Sequence, residues 1–326
     1  MEFVVCDSEK REIGAFNPQN SMLDFELGDT NDVEISCPRG SITRNQYVVC
    51  FGTEYGALME EYTGNTNSST ETWRGNSFRR FLDEIIVEPP SGKDYLVMSG
   101  DAHDIMREVL NNSYDGMFTI SEQASGINFT NYQFDRYVSA LSAFSKMLAT
   151  KDARINIDIK QGGSNEPFFV ELSAVPVNNL SEEIQFSEDS KVNITISDNQ
   201  RGITKLICLG RGDLKDRQVV YLYAWPDGSV QQREYYTGLR RRTAVYDNAF
   251  AETLDDLIDG GVKRLKELMG YKNMSMSVKN IDLQIGDIVS GRIYATNTYL
   301  SKPVIQKILS ISNGSERITY KVKGEQ

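Results

Sequence analysis

The chain has 326 residues, 40% hydrophobic and 25% charged, with 35 basic against 46 acidic side chains and a net charge of −11. That acidic balance excludes gripping nucleic acid through its phosphates, because the electrostatic contribution is repulsive. No run of about 18 apolar residues exists, so no helix that spans or anchors in a membrane is expected.

The opening MEFVVCDSEKREIG breaks its apolar run with Asp7, Glu9 and Lys10. It therefore reads as mature protein made in the cytoplasm, not as a secretory leader. Met22–Leu27 and Val33–Cys37 alternate apolar with polar around the turn Gly28–Asp32, and Gln46–Phe51 and Gly56–Tyr62 add two more strands. Short strands at this spacing predict a barrel or sandwich. Gly64–Thr70 (GNTNSST) is a polar hairpin tip.

Helical spacing then places Phe78, Phe81, Leu82 and Ile85 on one face of a helix over 77–87, stopped by Pro89-Pro90. Asp101 opens a second helix with Asp104 in the capping-box position. His103 falls in its first turn and is expected to be a partly exposed cap residue. Phe134, Tyr137, Val138, Leu141 and Leu148 mark a third amphipathic helix. Arg154–Lys160 and Val192–Ser197 alternate strictly, with Gly162-Gly163-Ser164-Asn165 as a hairpin loop.

Leu206–Gln218 reads LICLGRGDLKDRQ. A dinucleotide fingerprint needs a third glycine opening a helix, and a phosphate loop needs a lysine followed by Ser or Thr. Neither is present, and Arg211-Gly212-Asp213 has no secreted context, so the stretch is strand, glycine turn, strand, with Asp213 bonding its own backbone. Strands Val219–Ala224 and Ser229–Tyr236 follow, then a helix through Phe250, Leu254, Leu257, Ile258, Leu265 and Leu268, bent or broken at Gly260-Gly261. Asn313-Gly314 is a two-residue hairpin signal, returning through Ile318, Tyr320 and Val322 on one face.

Few residues invite chemistry. Cys6, Cys37, Cys50 and Cys208 sit in apolar runs as buried free thiols, and one histidine supports neither a zinc site nor a Ser/His/Asp arrangement. The pairs Glu60-Glu61 and Asp255-Asp256 point apart on any regular element and read as solvated faces. No catalytic, metal or cofactor site is expected; Trp73 and Trp225 are the sharper option, as sugar platforms.

Read in chain order, several phrases resemble phage tail-tip hub proteins. They are Asn31-Asp32-Val33-Glu34-Ile35, Gly52-Thr53-Glu54-Tyr55-Gly56, Trp73-Arg74-Gly75, Tyr132-Gln133-Phe134, Leu206–Leu214, Tyr221-Leu222-Tyr223, Tyr235-Tyr236-Thr237-Gly238 and Ile285-Gly286-Asp287-Ile288-Val289. The chain is similar to the N-terminal part of siphophage tail-associated lysins and to contractile-tail hubs. That resemblance implies a β-rich α+β fold: two tube-type β-barrels with α+β inserts. The first barrel would take residues 1–100 and the stretch near 200–225, the insert 101–200, and the second barrel 201–326 with a helical insert near 247–270. It further implies a non-enzymatic homotrimeric ring in the virion tail tip, taking part in host attachment and letting DNA pass without holding it. Its partners would be distal tail and tape-measure proteins. The alternative is a hub that also hydrolyses cell wall or binds carbohydrate.

Overall fold

The computed structural model describes residues 1–111, 113–163, 166–181, 185–186, 193–277, 282–293 and 298–325. The chain opens with β1 (Phe3–Cys6), β2 (Glu12–Phe16), β3 (Met22–Leu27), β4 (Asp32–Pro38), β5 (Tyr47–Val49), β6 (Gly56–Gly64) and β7 (Thr70–Ser77). Next come α1 (Phe78–Glu84), β8 (Ile86–Val87), β9 (Val97–Asp101), α2 (Ala102–Leu110) and β10 (Phe118–Ile120). They lead to β11 (Asn128–Gln133), β12 (Val138–Ser139), α3 (Ala140–Ala149), β13 (Ala153–Lys160) and β14 (Phe169–Pro176). After β15 (Gln185–Phe186) and β16 (Asn193–Asn199) come β17 (Lys205–Leu209), β18 (Val219–Ala224), β19 (Val230–Gln231), β20 (Thr243–Asp247) and α4 (Leu254–Leu268). The last strands are β21 (Tyr271–Ser277), β22 (Ile288–Ile293), β23 (Thr298–Ser312) and β24 (Ser315–Glu325).

Strict alternation buries Leu23, Phe25 and Leu27 on one side of β3 and Val33, Ile35 and Cys37 on one side of β4. These strands belong to a half-barrel sheet that joins both ends of the chain. Its path runs β16-β21-β24-β23-β3-β4-β7-β6-β5-β1-β2, with β22 branching from β23. The decisive seam is β23 against β3, antiparallel, with Leu309 opposite Phe25 and Ile311 opposite Leu23. One core therefore holds Phe3, Phe25, Tyr55 and Trp73 together with Leu309 and Ile311. The final hairpin turns at Asn313 (φ 49°) and Gly314 (φ 77°), the paired positive φ that an Asn-Gly turn supplies.

Between β7 and β15 the chain builds a three-stranded sheet, β10-β14-β13, and packs helices on it. Ile155, Ile157 and Ile159 of β13 share a core with Phe78 and Leu82 of α1, Ile105 and Met106 of α2, and Phe144 and Met147 of α3. Three sequence expectations change here. Helix α1 ends at Glu84, before the prolines, because Ile86 and Val87 leave it to pair with Ser139 and Val138. Helix α3 starts at Ala140 behind the cap Ser139; Phe134, Tyr137 and Val138 lie outside it, and Tyr137 has φ 51°. His103 is buried, not partly exposed.

Strands β17 and β18, expected in the first barrel, pair instead in a separate sheet of order β19-β18-β17-β20. The strand expected over 229–236 shrinks to Val230–Gln231, and Phe250, placed on the inner face of α4, precedes that helix and is exposed. Helix α4 is continuous through Gly260 and Gly261, not broken there. A Cβ on Gly261 would lie 2.5 Å from Cys208 Sγ and 2.8 Å from Leu222 Cδ1, so the glycine serves close helix-on-sheet approach. Thr253 caps α4 reciprocally with Asp256. Among the described residues no helix is long and apolar enough to cross a membrane.

Candidate functional site

The residues singled out by sequence do not converge on one centre. Trp73 is buried and donates its indole N–H to Glu71 Oε1 at 3.0 Å while packing on Tyr62, so it is core and not a sugar platform. Trp225 is half-buried, with the Arg233 guanidinium 4.7 Å from its ring centre, Tyr235 5.1 Å away and its N–H bound to the Arg233 carbonyl at 2.9 Å. Glu60 and Glu61 sit at a bulge in β6, and Arg74 lies 4.0 Å from Glu61. Asp256 caps α4, and Asp255 stands in its first turn, where the helix dipole favours a carboxylate.

His103 is committed on both nitrogens. Nε2 accepts from the Ala174 N–H at 2.8 Å, which leaves Nδ1 to donate to the Gln123 carbonyl at 2.5 Å. With neither nitrogen free, the ring is a brace between α2 and β14. Asp101 caps α2 as expected, and it also takes the N–H groups of Ser125 and Gly126; Asp104 pairs with Arg107 instead of closing a capping box. In the glycine turn, Asp213 makes no side-chain cap bond. Arg217 does the fastening, donating to the Gly210 carbonyl at 3.0 Å and to Asp247.

All four cysteines are buried free thiols, as their apolar runs imply. Burial, with Glu12 and Asp7 nearby, pushes the Cys6 thiol up to about 12, and burial pushes Cys37 and Cys208 up to about 11. None is a nucleophile at neutral pH. Among the described residues no cluster of His, Cys, Asp or Glu has the makings of a metal site.

What sequence reading missed is a polar seam beside the large sheet, where strands of that sheet meet α1 and β13. Arg79 of α1 bonds Glu54 at 2.9 Å, and Arg154 of β13 bonds Asp287 at 2.7 Å. Lys307 of β23, almost fully buried, reaches Asp282 at 2.7 Å and Gln284 at 3.2 Å across the Tyr55 ring. A cavity of about 480 Å³ opens here, lined by Glu54, Tyr55, Asp158, Asp282 and Lys307 among others. Burial, then the carboxylate of Glu54, raises the Tyr55 hydroxyl above its ordinary range. Arg79 and Arg154 each tie the 78–176 unit to a segment of the large sheet, and breaking either buried pair costs about 3–5 kcal/mol; Lys307 instead ties β23 to the 282–284 segment, where Asp282 is exposed. The signal was Lys307 interrupting an apolar run, where a bulge between Val304 and Gln306 shifts the alternation.

Two surfaces complete the geometry. On the outer face of the large sheet Asp24 stands directly opposite Glu34. Burial raises the Asp24 carboxyl, a bond from Ser310 opposes this, and Glu26, Glu34 and Asp32 add to the rise. On the four-stranded sheet, α4 covers Leu206, Cys208, Val220 and Leu222, and the opposite face carries exposed Val219, Tyr221 and Val245.

No protein-family model matches the sequence, and the curated proteins give no match either. Solved structures do. A 43 kDa tail protein of prophage MuSo2 from Shewanella oneidensis superposes with a TM-score of 0.51 at 11% identity, over 99% of this chain and 98% of that one. A chain of the p2 virion baseplate in its activated conformation gives 0.51 at 11% identity, over 100% and 99%. The chain has the fold of phage tail and baseplate proteins. A chain of the phage P2 baseplate in its activated conformation with Ca gives 0.50 at 12% identity, over 98% of each chain. The likeness thus runs over nearly the full length of both chains in each case.

Proposed function

We propose that this protein is a structural hub of a bacteriophage or prophage tail. Three copies close a ring that continues the tail tube, contact distal tail and tape-measure proteins, and take part in host attachment and DNA delivery. The observation that carries this reading is the end-to-end fold likeness to tail and baseplate chains. The half-barrel sheet supports it, because strand edges left open invite pairing with another chain and a closed ring covers them. Strands 1–77 and 271–325 supply the two tube-type barrels in this proposal, and the units 78–176 and 203–269 are the inserts. The net charge of −11 suits a passage that repels phosphate.

The role is structural rather than catalytic. Trp73 is enclosed in the core, Glu60 and Glu61 sit at a strand bulge and Asp255 and Asp256 at a helix start, which supports a non-enzymatic hub over the lysin alternative. Imaging of an assembled tail tip tests the proposal: three copies around the tail axis are expected, and two or four refute it. Release of fragments from peptidoglycan incubated with the purified chain refutes the purely structural role.

A further inference from the structure

The four-stranded sheet is covered on one side by α4, and among the described residues nothing is packed over the other, where Val219, Tyr221 and Val245 are exposed. In β17, β18 and β20 the odd-numbered residues face away from α4. Their register sets Ile207 between Tyr221 and Val245, with Val219 one row along and Lys205 beside Tyr223 on the other side. Tyr221 is 47% exposed and Val245 60%. Three strands of five residues present on the order of 200 Å² of sheet plane, about a quarter of what each partner buries in a standard interface. A strand apolar on both faces is normally covered on both.

Charge tells what covers it. On the open face itself Lys205 is the one cation of the three strands and Asp247, paired with Arg217, the one carboxylate; with the loops around the sheet, residues 201–247 carry nine Arg and Lys against five Asp and Glu, whereas the rest of the chain carries 26 against 41. Residues 1–77 alone hold 13 acids against five bases. Their outer face, on β3 and β4, sets Asp24 opposite Glu34; like charges so placed repel. Arg74 answers Glu34 at 2.7 Å and also feels Asp32, but Asp24 and Glu26 form no ion pair among the described residues. Lys205 likewise has no carboxylate partner among the described residues: its Nζ lies 4.9 Å and 5.7 Å from the ring centres of Tyr221 and Tyr223. Met22, 59% exposed and on the same side of β3 as Asp24, offers an apolar anchor on the acidic surface.

We infer that the open face of the β17–β18–β20 sheet docks on the acidic outer face of β3 and β4 of a second copy of this chain. Such a contact is head-to-tail: each copy uses one surface to give and another to receive, which is the arrangement that closes into rings. The inference rests on the ring proposal and names the surfaces that make it.

Sedimentation velocity of the full chain over a concentration series, in salt of roughly 50 mM and roughly 500 mM, tests it. The parent is expected to associate at low salt. Tyr221→Asp with Val245→Asp, both at exposed positions, raises the midpoint concentration at least ~10-fold, and high salt does the same. Lys205→Glu and Asp24→Lys each weaken association alone, and the double variant carrying both restores it. Circular dichroism of each variant must match the parent. A parent that stays monomeric at every concentration overturns the inference, as does a double variant that fails to recover. A parent that associates, with all variants matching it, overturns these surfaces while leaving a ring through other faces intact. Tail-tip copy number decides the ring itself.

Discussion

Gly260 and Gly261 are neighbours in one helix, yet alanine at the two positions is expected to act with opposite sign. Both substitutions remove a helix-interior glycine, which is worth about 1 kcal/mol in favour of Ala. At Gly260 the new Cβ meets the Tyr246 hydroxyl at 2.6 Å, the far end of a half-buried side chain able to swing away. The net effect is stabilisation by about 0.5–1 kcal/mol. At Gly261 the new Cβ meets Cys208 Sγ and Leu222 Cδ1, both in the closed interior between α4 and the sheet. Overpacking there costs about 1–3 kcal/mol, exceeds the propensity gain and leaves destabilisation of about 0.5–2 kcal/mol. Removing Sγ with Cys208→Ala relieves half of the clash, so the double variant loses less than the two singles summed, with a coupling of about 1 kcal/mol. Thermal melts by far-UV circular dichroism read the parent and all four variants. If Gly261→Ala raises the melting temperature as much as Gly260→Ala does, helix α4 does not sit against Cys208 as described.

Arg217→Ala is expected to destabilise by about 1–2 kcal/mol by freeing the Gly210 carbonyl and Asp247, whereas Asp213→Ala stays within about 0.5 kcal/mol; urea melts with the reverse ranking would overturn the account of that turn. The raised Asp24 carboxyl means that the folded chain binds that proton more tightly than the unfolded chain does, so its contribution favours folding at low pH and is lost as pH rises through the folded value. Asp24→Asn is thus expected to stabilise slightly at pH 7, with the gain vanishing below the carboxylate range; a gain that grows toward acid contradicts the burial and like-charge crowding on that face. With thiols pushed up to about 12 at Cys6 and about 11 at Cys37 and Cys208, a disulfide reagent at pH 8 should find no rapidly reacting thiol in the native protein and four after denaturation. A fast thiol in the folded state would show that one of these strands lies open.

Period-2 alternation made β3, β4, β13 and β24 legible, because each buries one face and the buried residues announce themselves. The Asn313-Gly314 turn was legible for a different reason, since few dipeptides tolerate two positive φ values in succession. Pairing was not legible. Nothing local in Phe25 names Leu309 as its partner, and nothing in β17 says that β20 will lie parallel beside it. The helix expected from Phe134 onward failed because apolar spacing alone cannot tell a helix from an irregular loop that dips into the core; Ser139, a good cap residue, was the better marker of its start. Phe250 misled in the same way, being apolar at helical spacing but exposed ahead of α4. The polar seam was hidden because Arg79 and Arg154 look like ordinary surface cations until their buried carboxylates are placed around them, and Lys307 until the Tyr55 ring closes over it. The open face of β18 left a trace in VVYLYA, whose lack of alternation signals a strand meant to be covered twice.

The seam between β23 and β3 also sets a timetable for synthesis. Asp24 and Ser310, neighbours in the finished sheet, are 286 residues apart in the chain. At ~5–20 residues per second a ribosome needs roughly 15–60 s to deliver the second strand after the first has emerged. Throughout that interval β3 is an unprotected edge carrying Leu23, Phe25 and Leu27, a template on which another nascent chain can settle. Asp24 and Glu26, alternating with those residues, act as gatekeepers against such pairing while the strand waits. Neutralising them should therefore lower the yield of soluble protein during expression even where it raises the stability of the finished fold.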